Sequence, residues 1–202
     1  SVELPFVHGD ELKEAEKERY GEFFLGEEKG SVYEHCLRAV KKSLNFGEHS
    51  LPLMGGGDWN DSFNEVGIKG RGESVWLAMF LRMVLLKFLP ICFYFNDKEN
   101  IKLFTDTAEK LAESIDKYAY NGSWYVRAFA DDGTVLGDKT SDACRIDLLP
   151  QAFSVLSSMP DEKRKASALE SAFNYLVDEE NGIVKLFTPP FNEKTFRAGY
   201  VN

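Results

Sequence analysis

Segment 53–61, Leu-Met-Gly-Gly-Gly-Asp-Trp-Asn-Asp, carries the residues of this chain that are best suited to chemistry. Its glycines let the backbone turn tightly and approach a ligand, because no Cβ blocks it. Trp59 offers a flat apolar face on which a sugar ring can stack its C–H edge. Asp58, Asn60 and Asp61 can bind hydroxyls or move a proton. The mixture favours a carbohydrate site, although Asn, Asp and Gly also dominate ordinary turns for local reasons.

Composition limits the function classes that remain. The chain has 202 residues, of which 44% are hydrophobic, and this length suits one domain or a piece of a larger one. Its net charge of −9 and the lack of a basic stripe argue against nucleic acid as a partner. The three cysteines and three histidines form no ligand-spaced cluster, so we expect neither a metal site nor a bound cofactor.

The cysteines and the apolar runs of the sequence indicate the cellular compartment and whether a segment crosses a membrane. Three widely separated cysteines favour a reducing cytoplasm, and the first residues show no signal-peptide pattern. Residues 75–95 are apolar and long enough to span a membrane, but Arg82, Lys87 and Pro90 interrupt them. Because charges are costly at bilayer depth, we interpret this run as a buried helix and expect no membrane contact.

Periodicity predicts an all-α chain with a small β-hairpin. Residues 1–30 are polar and are expected to be irregular, whereas Ser31 and Glu34 form a capping box that should begin a helix over 32–45. An apolar helix should open at 73–74 and end at Pro90. The later predictions are a helix from Asp97 to about 120, a hairpin over 124–129 and 134–136, helices over 148–157 and 160–177, and a short strand over 183–187.

Several other residues have both a functional and a structural interpretation. Glu73 can contact a hydroxyl, but it also suits the first turn of a helix. Gln151 can face a sugar from the following helix. Four further candidates favour structural roles. Arg145 and Asp147 suit a salt bridge and a helix cap, and Trp76 and Trp124 suit the hydrophobic core.

Eight blocks in order resemble the inverting glycoside phosphorylases of the cellobiose and chitobiose phosphorylase family. The elements GRGESVWL and DDGT are most similar to its β-1,2-glucan branch, which includes β-1,2-oligoglucan phosphorylases and the phosphorylase-like domain of cyclic β-1,2-glucan synthases. The blocks are 31–39, 51–61, 64–67, 70–77, 124–129, 131–134, 144–147 with Gln151, and 188–191.

The resemblance implies a fold and roles for individual residues. The family fold is an (α/α)₆ barrel preceded by a β-sandwich, and residues 1–202 would be a partial barrel. The second Asp of the D-W-N-D motif, here Asp61, would be the general acid, and Trp59 would line the site of the cleaved sugar. Asp58, Asn60 and Gln151 are the further substrate-binding candidates. The chain departs from the family where Ser62-Phe63 replaces Gly-Met, and a bulky Phe at this position is expected to alter the packing of the loop.

The implied reaction is phosphorolysis of a β-glucoside, with α-glucose 1-phosphate and a shortened glucan as products. One acid suffices, because phosphate is already an anion and attacks without a second carboxylate, whereas an inverting hydrolase needs one. An inverting hydrolase on the same toroid and a non-catalytic carbohydrate-binding piece stay open as alternatives. The partners would be an oligosaccharide and inorganic phosphate, the latter as co-substrate.

The resemblance also predicts how the 202-residue chain behaves by itself. The family's phosphate-binding residues lie outside the matched segment, so the isolated chain is expected to be inactive. A partial barrel leaves apolar helix faces uncovered, and large exposed apolar patches favour association. Self-association through the barrel edges is therefore a further expectation.

Overall fold

The computed structural model describes residues 2–11, 13 and 19–202. These residues divide into two compact units, one up to Leu44 and the other from Asn45 onward.

The first unit is a β-hairpin followed by a helix. Strands β1 (Glu3–His8) and β2 (Phe24–Ser31) pair antiparallel, and helix α1 covers Val32–Lys42. The expectation that residues 1–30 are irregular is therefore wrong for both strands, whose short apolar runs lie between clusters of charged residues. The predicted helix is confirmed, and the Ser31 hydroxyl accepts a hydrogen bond from the Glu34 amide at 3.2 Å.

The second unit holds four further α-helices: α2 (Val75–Tyr94), α3 (Lys98–Ser114), α4 (Leu148–Leu156) and α5 (Glu162–Leu176). A single π-helical turn, Ile115–Ala119, extends α3. Each of the four helices begins at a side chain that accepts a hydrogen bond from the first turn, as N-caps do. These caps are Ser74, Asp97, Asp147 and Asp161. The helices predicted from Asp97 and over 148–157 and 160–177 are confirmed.

Helix α2 does not end at Pro90, so that part of the prediction is wrong. Proline cannot donate to the carbonyl four residues back, yet the helix continues to Tyr94. Its last turn carries the fully buried Cys92, while Ile91, Phe93 and Tyr94 are exposed. The helix ends where Asn96 adopts a φ of 52°, a left-handed conformation that is common after helix C-termini.

By length and composition, α2 could cross a membrane. One such helix is weak evidence, because the core helix of a soluble protein passes the same test. In this structure Val75, Met79 and Leu85 of α2 lie in the core with no exposed surface.

Short strands connect the loops between the helices. Strands β3 (Glu73–Ser74), β4 (Ala128–Phe129) and β5 (Val135–Leu136) form one antiparallel sheet in that order. The predicted hairpin is thus confirmed with shorter strands, and β3 is an addition where a helix start was predicted. The remaining pairs are β6 (Ile146–Asp147) with β9 (Phe187–Thr188), and β7 (Val177–Asp178) with β8 (Ile183–Val184).

Two long loops, 45–72 and 120–145, pack together at the N-terminal end of α2. The Asp131 carboxylate accepts hydrogen bonds from the amides of Lys69 (2.7 Å), Arg71 (2.9 Å) and Gly72 (2.9 Å). A hydrophobic cluster beneath the loops includes Phe63 and Leu136. Helices are therefore the main regular structure of the second unit, and small sheets hold its loop layer.

Candidate active site

The first carboxylate of the D-W-N-D motif lies at the base of the loop and is fully buried. Arg127 donates two parallel hydrogen bonds to Asp58, from Nη1 to Oδ2 at 2.7 Å and from Nη2 to Oδ1 at 2.8 Å. The Ser74 hydroxyl donates to Oδ2 at 2.6 Å, and the Asn60 amide donates to Oδ1 at 3.0 Å. A bidentate pair of this kind fixes the relative orientation of the two side chains and also strengthens their interaction. Asp58 therefore anchors the loop to β3 and β4.

Arg127 lies between two carboxylates and has no exposed surface. Opposite Asp58, its Nε is 3.2 Å from Oδ2 of Asp147, also buried, but neither atom has a well-aligned hydrogen bond within the described residues. The guanidinium carbon is 5.1 Å from the centre of the Phe63 ring. The bulky residue at the Ser62-Phe63 departure thus packs below the buried ion pair.

The two carboxyls beside Arg127 have opposite pKa shifts. Burial opposes ionisation of Asp58, but the hydrogen bonds and charge of Arg127 outweigh burial and lower its pKa. For Asp147 burial dominates and raises the pKa to about 6, and the nearby guanidinium only partly compensates. One guanidinium between two carboxyls leaves a net negative charge in the interior when both ionise. Asp147 therefore holds its proton more tightly than Asp58.

The second carboxylate of the motif lies in the opposite environment. Asp61 begins a short 3₁₀ turn, Asp61–Phe63, and its side chain is exposed. Within the described chain, no hydrogen bond or ion pair holds this carboxylate. Asn60 caps the turn, because its Oδ1 accepts hydrogen bonds from the Ser62 amide at 3.1 Å and the Ser62 hydroxyl at 2.5 Å. Asp61 is thus the carboxyl of the motif that a substrate can reach.

Trp59 is presented beside Asp61 with 59% of its surface exposed. Its ring centre is 6.4 Å from that of Trp76, which is buried and stacks on Phe80 at 5.4 Å. This backing supports an indole face that stays open to a ligand. Trp76 and Trp124 are core residues, as the structural interpretation predicted.

Gln151 is fully buried beside Asp147, and its amide is occupied by the main chain. Its Oε1 accepts from the Tyr125 amide at 2.9 Å, and its Nε2 donates to the carbonyls of Tyr125 and Asp147, both at 2.8 Å. These contacts join α4 to the segment that leads into β4. A sugar-binding role for Gln151 stays a prediction.

The other candidates have structural contacts. Glu73 is buried and accepts hydrogen bonds from the main chain of His49 and Leu51, so it holds the preceding loop. Asp147 caps α4 through the Leu149 amide at 2.8 Å, as predicted. Its ion-pair partner is Arg127 rather than Arg145, whose Nε donates to the Ser141 carbonyl.

Sequence reasoning missed Arg127 as part of the site. The available signal was a charged residue inside the alternating, otherwise apolar run 124–129, since a buried arginine needs a carboxylate partner. No group of three or more His, Cys, Asp or Glu is placed to hold a metal ion within the described residues. The arrangement thus offers one accessible carboxyl, one open indole and a rigid base.

Comparison with known proteins identifies the family. Residues 5–202 match the family described as "Glycosyl hydrolase 94 superfamily, catalytic domain". The chain is 38% identical over 199 residues to the cyclic beta-(1,2)-glucan synthase NdvB of Rhizobium meliloti, covering 98% of this chain and 7% of that protein. Two relatives from Paenibacillus borealis are a 3-O-beta-D-glucopyranosyl-beta-D-glucuronide phosphorylase and a solabiose phosphorylase. They are 33% and 34% identical over 80% and 87% of this chain.

The match over residues 5–202 defines the class of protein. The chain belongs to the glycosyl hydrolase 94 superfamily and is a segment of its catalytic domain. It spans only 7% of NdvB and 21% and 23% of the two phosphorylases. The resemblance deduced from the motifs is confirmed.

Proposed function

We propose that the protein containing this chain is an inverting glycoside phosphorylase that transfers a glucosyl unit from a β-glucan to inorganic phosphate. The product would be α-glucose 1-phosphate, which makes the reaction a glycosyl transfer. A β-1,2-glucan is the proposed substrate, because the GRGESVWL and DDGT elements resemble that branch. The relative NdvB, named a cyclic beta-(1,2)-glucan synthase, supports this choice.

The observation that carries the proposal is the contrast within one short loop. Asp61 and Trp59 are exposed, whereas Asp58 is buried under a bidentate ion pair with Arg127. Of the two motif carboxyls only Asp61 is accessible, which suits phosphorolysis, because phosphate supplies the nucleophile. Rigid support at the base of the loop suits catalysis, because the acid must be held close to its productive geometry.

The proposed reaction needs one proton donor. Protonated Asp61 gives its proton to the glycosidic oxygen as the bond from that oxygen to the anomeric carbon breaks. A phosphate oxygen forms the new bond to the anomeric carbon from the opposite face, which inverts the configuration. Trp59 would stack on the ring that is being transferred, while Asp58 and Asn60 would hold the loop through the contacts already described.

The rest of the site is proposed on the family resemblance. The helices of the second unit would form part of an (α/α)₆ barrel, and residues outside 1–202 would bind phosphate. The 202-residue chain alone is then expected to be inactive. We also propose that the enzyme works in the cytoplasm with phosphate as co-substrate and with no bound cofactor.

The test uses the whole protein with a β-1,2-linked gluco-oligosaccharide, with and without phosphate. Phosphate-dependent release of glucose 1-phosphate, with the α configuration seen by NMR, is the expected result. It should be lost in Asp61→Asn and kept in Asp142→Asn, which changes another exposed aspartate of the loop layer. Release of free glucose without phosphate would instead identify a hydrolase. Sugar binding without either product would identify a non-catalytic binding protein.

A further inference from the structure

A cavity of about 410 Å³ lies on the other side of β3 from Asp58. Consecutive residues of a strand point to opposite faces. Accordingly, the Ser74 hydroxyl contacts Asp58, whereas the Glu73 side chain lines the cavity. Segments 46–49, 70–71 and 129–133 provide most of the remaining wall. Cavities of this volume are in the range that binds small ligands.

An imidazole is fixed in the wall of this cavity with one nitrogen available. His49 Nδ1 is 2.5 Å from Oε2 of the buried Glu73. The ring stacks on Phe129 at a centroid distance of 4.2 Å and meets the edge of Tyr118 at 5.0 Å. The contact with Glu73 occupies Nδ1. Nε2 then remains for a ligand, since no residue of the described chain is bonded to it.

The rest of the lining combines hydrogen-bonding groups with ring faces. Arg71, Glu48 and Asp132 have exposed side chains at the cavity, and Phe46 and Phe129 contribute aromatic surface. The Asp131 carboxylate is already occupied by three main-chain amides. The carboxylates outnumber Arg71 at the mouth, which disfavours an anion such as phosphate. Donors, acceptors and flat apolar faces together suit a neutral polyhydroxylated ring.

We propose that this cavity is a second saccharide-binding site, which holds a glucosyl unit of a β-glucan apart from the ring stacked at Trp59. His49 Nε2 and the Arg71 guanidinium bind its hydroxyls, and Phe46 or Phe129 contacts its C–H face. The ligand class rests on the proposed function, while the site itself rests on the cavity and the fixed imidazole. Because Glu73 and Ser74 are adjacent on β3, an occupied cavity contacts the strand that also supports the acid loop.

The experiment is a calorimetric titration of the whole protein with a β-1,2-linked glucopentaose in the absence of phosphate. Two binding events are expected. Trp59→Ala should remove or weaken one event, and Arg71→Ala should weaken the other about tenfold, as loss of a hydrogen bond from a charged group does. Lys69→Ala is the matched control, because it removes an exposed cation two residues away that does not line the cavity. Both events should persist in this control.

A second variant separates binding from folding. His49→Gln keeps a donor for Glu73 but removes Nε2, and it should weaken the same event as Arg71→Ala. A single event that Trp59→Ala abolishes and that neither cavity variant affects would overturn the proposal. So would cavity variants that lower the thermal midpoint without changing either affinity, because the cavity would then have only a structural role.

Because the titration needs no turnover, its outcome does not depend on whether the protein is a phosphorylase. Phosphorolysis with only one binding event would remove the second site and keep the enzyme. Two events without any phosphorolysis would keep the second site and remove the phosphorylase.

Discussion

Asp58 and Asp61 are three residues apart in one motif, yet their surroundings are opposite. Asp58 is buried, pairs with Arg127 and accepts hydrogen bonds from Ser74 and Asn60. Asp61 is exposed on a 3₁₀ turn and is held by no hydrogen bond within the described residues. One carboxylate of the motif therefore supports the loop, and the other is open to solvent.

This separation has a physical reason. A carboxylate bound by a guanidinium is stabilised as an anion, so Asp58 is unsuited to donate a proton. Its contacts instead fix the backbone that presents Asp61 and Trp59. If the two carboxylates divide the work in this way, substitutions at each should affect different measurements.

The largest effect on catalysis is expected for Asp61→Asn in the whole protein. Asparagine keeps the shape of the side chain but cannot supply the proton, and a general acid typically contributes about 10²–10⁴-fold in rate. We expect kcat for phosphorolysis to fall by at least about 10²-fold while the thermal midpoint stays unchanged. Steady-state kinetics and calorimetry measure both quantities. Activity within about tenfold of wild type would remove Asp61 from the acid role.

The largest effect on stability is expected for Arg127→Met. The substitution leaves two buried carboxyls without their cation, and breaking a buried ion pair in this way costs about 3–5 kcal/mol. Denaturant unfolding of the whole protein should show this loss. The matched control is Arg197→Met, because Arg197 pairs with Glu65 at the surface at 2.8 Å and exposed pairs contribute about 0–1 kcal/mol. Equal losses in the two variants would contradict the anchoring role of Arg127.

A pH effect of up to about 3 kcal/mol on the free energy of unfolding is expected from Asp147. Its pKa is about 6 in the folded protein against an ordinary value of 3.8, so the folded state binds this proton more tightly. That contribution is fully present below about pH 4 and is lost as pH rises through about 6. Asp147→Asn keeps an N-cap side chain but removes the titration. Unfolding measured from pH 4 to 7 should show a weaker loss of stability with rising pH in the variant.

The smallest effect is expected for Trp59→Ala, which tests the exposed half of the motif. Loss of a stacking surface should weaken oligosaccharide binding roughly tenfold, or about 1.4 kcal/mol. The fold should be unaffected, because the indole is largely exposed. Calorimetric affinity together with the thermal midpoint checks this pair of outcomes. A large loss of stability with unchanged affinity would instead give Trp59 a structural role like that of Asp58.

Local chemistry was readable from the sequence. The caps at Ser31 and Asp147 were predicted because each acts on an amide only two or three residues away. The D-W-N-D motif and its neighbouring blocks predicted Asp61 as the acid; the structure shows this residue exposed, and its catalytic role stays a prediction. Family membership followed from the same blocks, because their order and spacing can be read directly from the sequence.

Only the tertiary structure decided the rest. Arg127 contacts Asp58 across 69 positions, and Glu73 reaches His49 across 24, so no local pattern predicts either pair. The continuation of α2 past Pro90 runs against the local preference of proline, so only the structure shows where this helix ends. The sequence determined which residues can do chemistry. Long-range burial and pairing determined which carboxylate anchors the loop and which one is exposed to solvent.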